Sequence, residues 1–383
     1  MKHIFSIFAV FTLFSAILYA ADIEKEITVK SGEKLEMDLR TGGAIIVTGW
    51  DEEKVSVQVD LNGRDAKYTH VDIEKVSSGV SIVSDYERRR RSSSSNLEFR
   101  IKVPQKFDLE LNTMGGEIRL ENIEGTINGN TMGGELNLTH LKGAIDLKTM
   151  GGSITLTKSD VDGEVKTNGG TVLLRDVTGN VSGHSMGGSV TYDNVSDRAG
   201  KSTGKEVNIS TMGGEINVDH APFGANVNTM GGDISIHSVQ KYVKAKTMGG
   251  NIEIDTIDGS INAQTMGGNV TATMVGDPVQ GNRDVYISSK GGDITLVVPD
   301  ALSMDVDISL AYTKNNDRWS EGAIPKIISD FDLKKDETDT WERDHGSARK
   351  YIYGKGTIAG GKNKIHIETI NGDVHLKKAS KSQ

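Results

Sequence analysis

The sequence predicts an all-β chain wound as a parallel β-solenoid (a β-helix) of about 18-residue coils, with irregular β caps at both ends. Three observations carry that expectation. The tetrapeptide Thr-Met-Gly-Gly recurs at Thr113, Thr131, Thr149, Thr211, Thr229, Thr247 and Thr265, with variants beginning at Thr167, Ser185 and Ser289, and most neighbouring copies lie 18 residues apart. A fixed period of that length marks stacked units, each too small to bury an apolar face alone. Between the copies aliphatic residues step by two (Ile118/Leu120, Leu136/Leu138, Ile252/Ile254), which is strand periodicity. Glycine is abundant (45) and proline scarce (5), as tight corners in a regular array require.

Residues 1–20 read as a signal peptide. Lys2 gives a basic start, residues 4–18 are almost wholly apolar, and Leu18-Tyr19-Ala20 precedes an expected cut before Ala21. No later stretch is long and apolar enough to span a membrane, so no stable span is expected after signal removal. The chain has no cysteine, which excludes disulfides, thiolate metal sites and a cysteine-anchored lipoprotein. The expected location is extracytoplasmic: periplasm, outer surface or secreted. A net charge of −9 argues against a general nucleic-acid binder.

Residues 21–112 alternate irregularly, and we assign them to an N-terminal β-cap leading into the solenoid. Eight period-two segments run from Ile27-Val29 to Phe107-Leu109-Leu111, and Thr41-Gly42-Gly43 resembles a degenerate corner. A cap covers the unpaired strand edge that an open solenoid end presents. Within it lies Arg88-Arg89-Arg90-Arg91 followed by four serines. That run reads as a solvated hairpin tip, the favoured reading, or as an electropositive loop for an anionic glycan, lipopolysaccharide or cleavage by a basic-site protease.

Residues 113–298 form the repeat solenoid. Each copy supplies two short strands, joined by a glycine corner at each end. The structural corners are Gly115, Gly116, Gly133, Gly134, Gly151, Gly152, Gly213, Gly214, Gly231, Gly232, Gly249, Gly250, Gly267 and Gly268. Paired glycines are expected there for positive φ, so valine at Gly115 or Gly116 should destabilise the coil. Stacked ~4.8 Å apart, roughly ten coils make a rod of about 50 Å. Two insertions break the period, one spanning Ser196 to Glu206 (with Arg198, Lys201 and Lys205), the other Asp277 to Asp284. Solenoid insertions emerge as loops on one face and often carry binding. Arg88, Arg89, Arg90, Arg91, Arg198, Lys201 and Lys205 are therefore the candidate contact residues. In residues 299–383 the period lapses and returns at Ile365–Leu376, giving a C-terminal cap and closing coil.

Chemistry is harder to find. Met114, Met132, Met150, Met186, Met212, Met230, Met248 and Met266 form a column. It reads either as corner packing, the favoured reading, or as a thioether row for Cu(I) or oxidation. The phase break at the corner leaves open whether Thr or Met faces inward. Asp160-Val161-Asp162-Gly163 lacks the other calcium ligands, and Ala199-Gly200-Lys201-Ser202 lacks the first glycine of a phosphate loop. A polysaccharide-acting enzyme on this scaffold needs a carboxylate pair and aromatic platforms, yet the repeats hold only Tyr192, Phe223, Tyr242 and Tyr286. No catalytic, cofactor-binding or metal residue is assigned, and the chain is expected not to be an enzyme.

The Thr-Met-Gly-Gly-x-Ile-x-Leu coils, the β N-terminus ending at Val103-Pro104 and the closing Ile-x-Thr-Ile-Asn-Gly-Asp-Val-x-Leu resemble the "putative adhesin" family of bacterial β-strand-repeat proteins (DUF4097-like). The resemblance implies an exported β-solenoid, adhesin-like and without catalytic residues, presenting a binding or structural surface in the cell envelope to an envelope protein or glycan. The rival expectations are a periplasmic scaffold or envelope-stress sensing partner and, more distantly, a polysaccharide-acting β-helix enzyme.

Overall fold

The computed structural model describes residues 23–63, 68–87, 95–196, 206–313, 324–343 and 347–379. These residues form 28 strands and no helix, in one hydrogen-bonded sheet that does not close on itself. Pairing follows the repeat. Leu136 lies opposite Ile118 on one side and Ile154 on the other, in parallel register.

Two long ladders result. One carries residues that follow the corner: Ile118, Leu136, Ile154, Val172, Val190, Ile216, Ile234, Ile252, Val270, Ile294 and Val374 in succession. The other carries residues that lead into it. That ladder runs Leu35, Leu109, Ile127, Ile145, Gly163, Val181, then resumes as Val207, Ala225, Val243, Ile261, Val285 and Ile365. Alternate side chains of both ladders enter one apolar cluster along the length of the chain. Each buried aliphatic contributes about 1.5–3 kcal/mol, so strands of a few residues hold only because the stack continues on both sides.

The corner decides which side chain faces in. The threonines are buried (Thr131 2%, Thr149 3%, Thr247 1%) while every methionine of the column stands outward, 44% to 58% exposed. The packing reading of the Met column is therefore overturned. Extended backbone alternates faces, and the Thr hydroxyl finds two partners inside that a thioether cannot serve. Thr149 Oγ1 donates to the Gly134 carbonyl of the preceding copy at 2.8 Å and accepts the Gly152 N–H at 3.2 Å. The same relay recurs at Thr167, Thr229, Thr247 and Thr265. It recurs at Ser185 and Ser289 as well, since serine keeps the hydroxyl.

The corner glycines also need correcting. Of those assigned as corners only Gly116 has a positive φ, at 113°. What demands glycine is close approach. A Cβ on Gly134 would lie 1.8 Å from the Gly116 carbonyl oxygen, and on Gly152 2.0 Å from that of Gly134. The first glycine of the pair is different, because a Cβ at Gly115 or Gly133 meets nothing within 4 Å. Valine at Gly115 is thus no longer expected to clash, whereas at Gly116 it is.

The far bend is not the simple glycine corner expected at each end. It turns on left-handed residues that are not glycine: Asn122, His140, Lys158, Asp176 and Asn194, with φ between 49° and 60°. Asn and Asp tolerate this region better than other residues with a Cβ. Gly125, Gly143 and Gly179 follow three residues later, where a Cβ would lie 2.2 to 2.4 Å from a neighbouring carbonyl oxygen.

Both ends of the stack turn antiparallel. Lys54–Gly63 pairs with Ser95–Pro104 and with Ile23–Thr28, and Thr69–Val76 pairs with Gly79–Tyr86. At the other end Met304–Thr313 lies between Asn363–Ile370, in parallel, and Arg349–Ile358, antiparallel, and Lys334–Glu337 closes the row. Val285 pairs with Ile365 and Ile294 with Val374, and Met304–Thr313 and Ile327–Ser329 pair in parallel on the other side of those returning strands, so the last strands of the chain are inserted between two layers that precede them in sequence.

Candidate functional site

Side chains pointing outward from the corner-approaching ladder form rows in register with the repeat. One row reads Asn208, Asn226, Lys244, Asn262, Tyr286, His366 and Asp307. Here the repeat that shapes the core places chemically different groups side by side on the surface. An open groove of about 720 Å³ lies over this row, lined among others by Tyr242, Lys244, Asn262, Tyr286, Lys364 and His366.

Aromatic surfaces define the groove. Tyr286 and His366 stack with centroids 5.5 Å apart and planes inclined by 4°. The Tyr286 hydroxyl donates to Glu368 Oε1 at 2.7 Å; that bond and partial burial hold the phenol above its usual pKa and so in its neutral form. Lys241 Nζ lies 4.5 Å from the Phe223 ring centroid, and Lys244 Nζ 5.7 Å from that of Tyr242. Tyr242 itself packs on Gly224, where a Cβ would lie 2.5 Å from the ring. Among the described residues Lys241, Lys244 and Lys364 make no ion pair, in a chain whose net charge is −9. Asp284 is the lining carboxylate, and its Oδ1 accepts the Lys364 N–H at 2.8 Å.

The second insertion forms one rim, and a buried arginine holds it. The Arg283 side chain is 2% exposed. Its guanidinium donates to Asp258 Oδ1 at 2.6 Å and to the carbonyls of Val275 (2.7 Å), Asp277 (3.1 Å) and Gln280 (3.2 Å). The backbone N–H of Arg283 donates to Asn363 Oδ1 at 3.1 Å, joining the insertion to the returning strand. By sequence alone this arginine falls in an exposed loop. Its one sequence signal is the flanking pattern Asp277-Pro278 and Gly281-Asn282, which marks a tight turn and says nothing of burial.

Arg88, Arg89, Arg90, Arg91, Arg198, Lys201 and Lys205 lie outside the described residues, as does the segment read as a signal peptide. Among the described residues no group of three or more His, Cys, Asp or Glu side chains is placed to hold a metal ion. No helix there is long and apolar enough to cross a membrane, which leaves membrane-spanning strands untouched.

No family model matches the chain, and no curated protein matches it. Three solved structures align with it at low identity. One is described as a "putative cell adhesion protein" from Clostridium sporogenes, at 12% identity over 93% of this chain and 99% of that one, TM-score 0.19. A "putative adhesin" from Parabacteroides distasonis aligns at 13% over 72% and 95%, TM-score 0.32. A third, a "putative adhesin" from Parabacteroides merdae, aligns at 13% over 72% and 92%, TM-score 0.28. At these TM-scores the likeness carries no argument about activity.

Proposed function

We propose that the chain is an exported, adhesin-like β-solenoid of about 18-residue coils, capped at both ends, that presents a non-catalytic binding surface in the cell envelope. The observation that carries this reading is the groove: a stacked Tyr286–His366 pair in line with Lys244 and Asn262, beside a loop pinned by Arg283. Aromatic faces flanked by amides and ammonium groups suit a hydroxyl-rich, negatively charged ligand. Rings supply apolar area with a polar rim, and the lysines supply charge. We therefore propose an acidic saccharide of the envelope as the ligand class. The basic segments Arg88–Arg91 and Arg198–Lys205 are proposed as further contacts.

Binding of acidic oligosaccharides to the full chain, measured by calorimetry, tests this. Tyr286→Ala and Lys244→Glu are each expected to weaken binding at least tenfold while thermal unfolding stays within a few degrees. Retention of full affinity in both variants would remove the groove from consideration, and deletion of 88–91 and 198–205 would then test the loops.

A further inference from the structure

The outward Met column has no structural employment. Its position tolerates other residues, because Asn168 and Lys290 occupy it in two copies with the corner unchanged. Thr167 Oγ1 still meets the Gly152 carbonyl at 2.7 Å, and Ser289 Oγ the Gly268 carbonyl at 2.8 Å. Nevertheless eight copies place methionine there, each 44% to 58% exposed. A lone exposed apolar side chain is ordinary, but eight of one kind in register form a thioether ridge.

Asn168 divides the ridge and Lys290 ends it. Met114, Met132 and Met150 form one run; Met186, Met212, Met230, Met248 and Met266 form another. The second run is continuous across the first insertion, since Met212 N–H donates to the Met186 carbonyl at 2.9 Å and Met230 N–H to that of Met212 at 3.2 Å. Neighbouring strands stand ~4.8 Å apart, and each Met side chain has three rotatable bonds, so successive sulfurs can converge on one ion. Thioether sulfur is neutral and soft and selects Cu(I) among biological metals; hard cations prefer oxygen. The sulfurs do not repel one another, so a column of them is free to form where a column of thiolates is not.

We propose that the five-methionine run from Met186 to Met266 binds a soft monovalent cation, Cu(I) or its redox-silent analogue Ag(I), through sulfur alone. The full chain titrated with Ag(I) in chloride-free buffer is expected to take up the ion, with X-ray absorption showing a sulfur shell. Affinity should be the same at pH 5 as at pH 7, because thioethers do not titrate there and histidines do. The triple variant Met212→Leu/Met230→Leu/Met248→Leu should lose at least tenfold in affinity with an unchanged melting temperature. Met230→Asn, which copies the chain's own Asn168, splits the run into two pairs and should also weaken uptake. Equal affinity in the variants, a nitrogen or oxygen shell, or loss of binding as histidines protonate would each overturn the proposal.

Discussion

The threonine of each corner does two jobs with one oxygen. It donates to a carbonyl of the copy before and accepts an N–H of its own copy, both away from water. Thr149→Val keeps the shape and orphans both groups, so a loss of about 1–3 kcal/mol is expected in urea denaturation. Thr149→Ser should lose far less, as Ser185 and Ser289 already make the same bonds. The neighbouring glycines separate in the same assay. Gly134→Ala meets the Gly116 carbonyl oxygen at 1.8 Å and should strongly destabilise, whereas Gly133→Ala meets nothing and should be neutral or slightly stabilising. Tyr192 shows how one residue repairs a local fault. Its copy precedes the first insertion, and the described strands Val181–Ser185 and Val207–Ser210 do not pair as a ladder there. The Gly183 N–H instead donates to the buried Tyr192 hydroxyl at 2.6 Å, and burial holds that phenol well above its usual pKa. Tyr192→Phe should therefore cost about 1–3 kcal/mol despite the small change in volume.

At the scale of elements, the outer faces of the ladders set the charge states of two histidines in opposite directions. His184 is half-buried on the corner-approaching ladder; burial first, then Lys166 beside it, lowers its pKa below 6.5. Its folded value lies under the unfolded one, so stability is lost as pH falls from about 6.5 through the folded value. His237 sits on the other ladder, where its Nδ1 meets Asp255 Oδ2 at 2.9 Å and that bond raises its pKa. Its contribution is complete below about 6.5 and is lost as pH rises through the folded value. Imidazole titrations followed by NMR should place the two midpoints on opposite sides of 6.5, and His184→Gln should flatten the acid-side loss of stability. Arg283 acts on an element too. Arg283→Met leaves three carbonyls and Asp258 without their donor, so amide exchange across 275–284 should accelerate at least tenfold while the ladders keep their protection.

The described strands stack so that each pairs mainly with those of neighbouring copies, and stability should therefore behave as a sum over repeats and interfaces. Removing residues 136–153 brings Ile154 opposite Ile118 with every inward residue still inward. That deletion should keep the strand signature in circular dichroism and lower the melting temperature modestly; removing 136–144 instead breaks the register and should abolish folding. The open ends are guarded by charge and brevity. Lys334–Glu337 is exposed along its length as Lys-Lys-Asp-Glu, Ile327–Ser329 is three residues long, and Ile23–Thr28 exposes Glu24, Lys25 and Glu26. Such edges discourage pairing with another chain.

Strand content, the period and the inward aliphatics are legible in the amino-acid order alone. Ile118, Leu136 and Ile154 announce their common position through spacing, because every copy meets the same neighbours. Contacts between distant parts of the chain settle the rest. Thr131 turns in and Met132 out because the alternation of the strand entering the corner runs through the threonine, and the phase breaks only after Met132, where local pattern reading loses it. Gly134 is required by the backbone of another copy, and Arg283 is buried by a loop and a strand far away in the chain. The groove joins Tyr286 to His366 because the returning strand Asn363–Ile370 inserts beside Val285–Ser289, a juxtaposition invisible to any local window. A repeat writes its own core into the sequence because the core is periodic; its surface is not, and only stacking brings those side chains together.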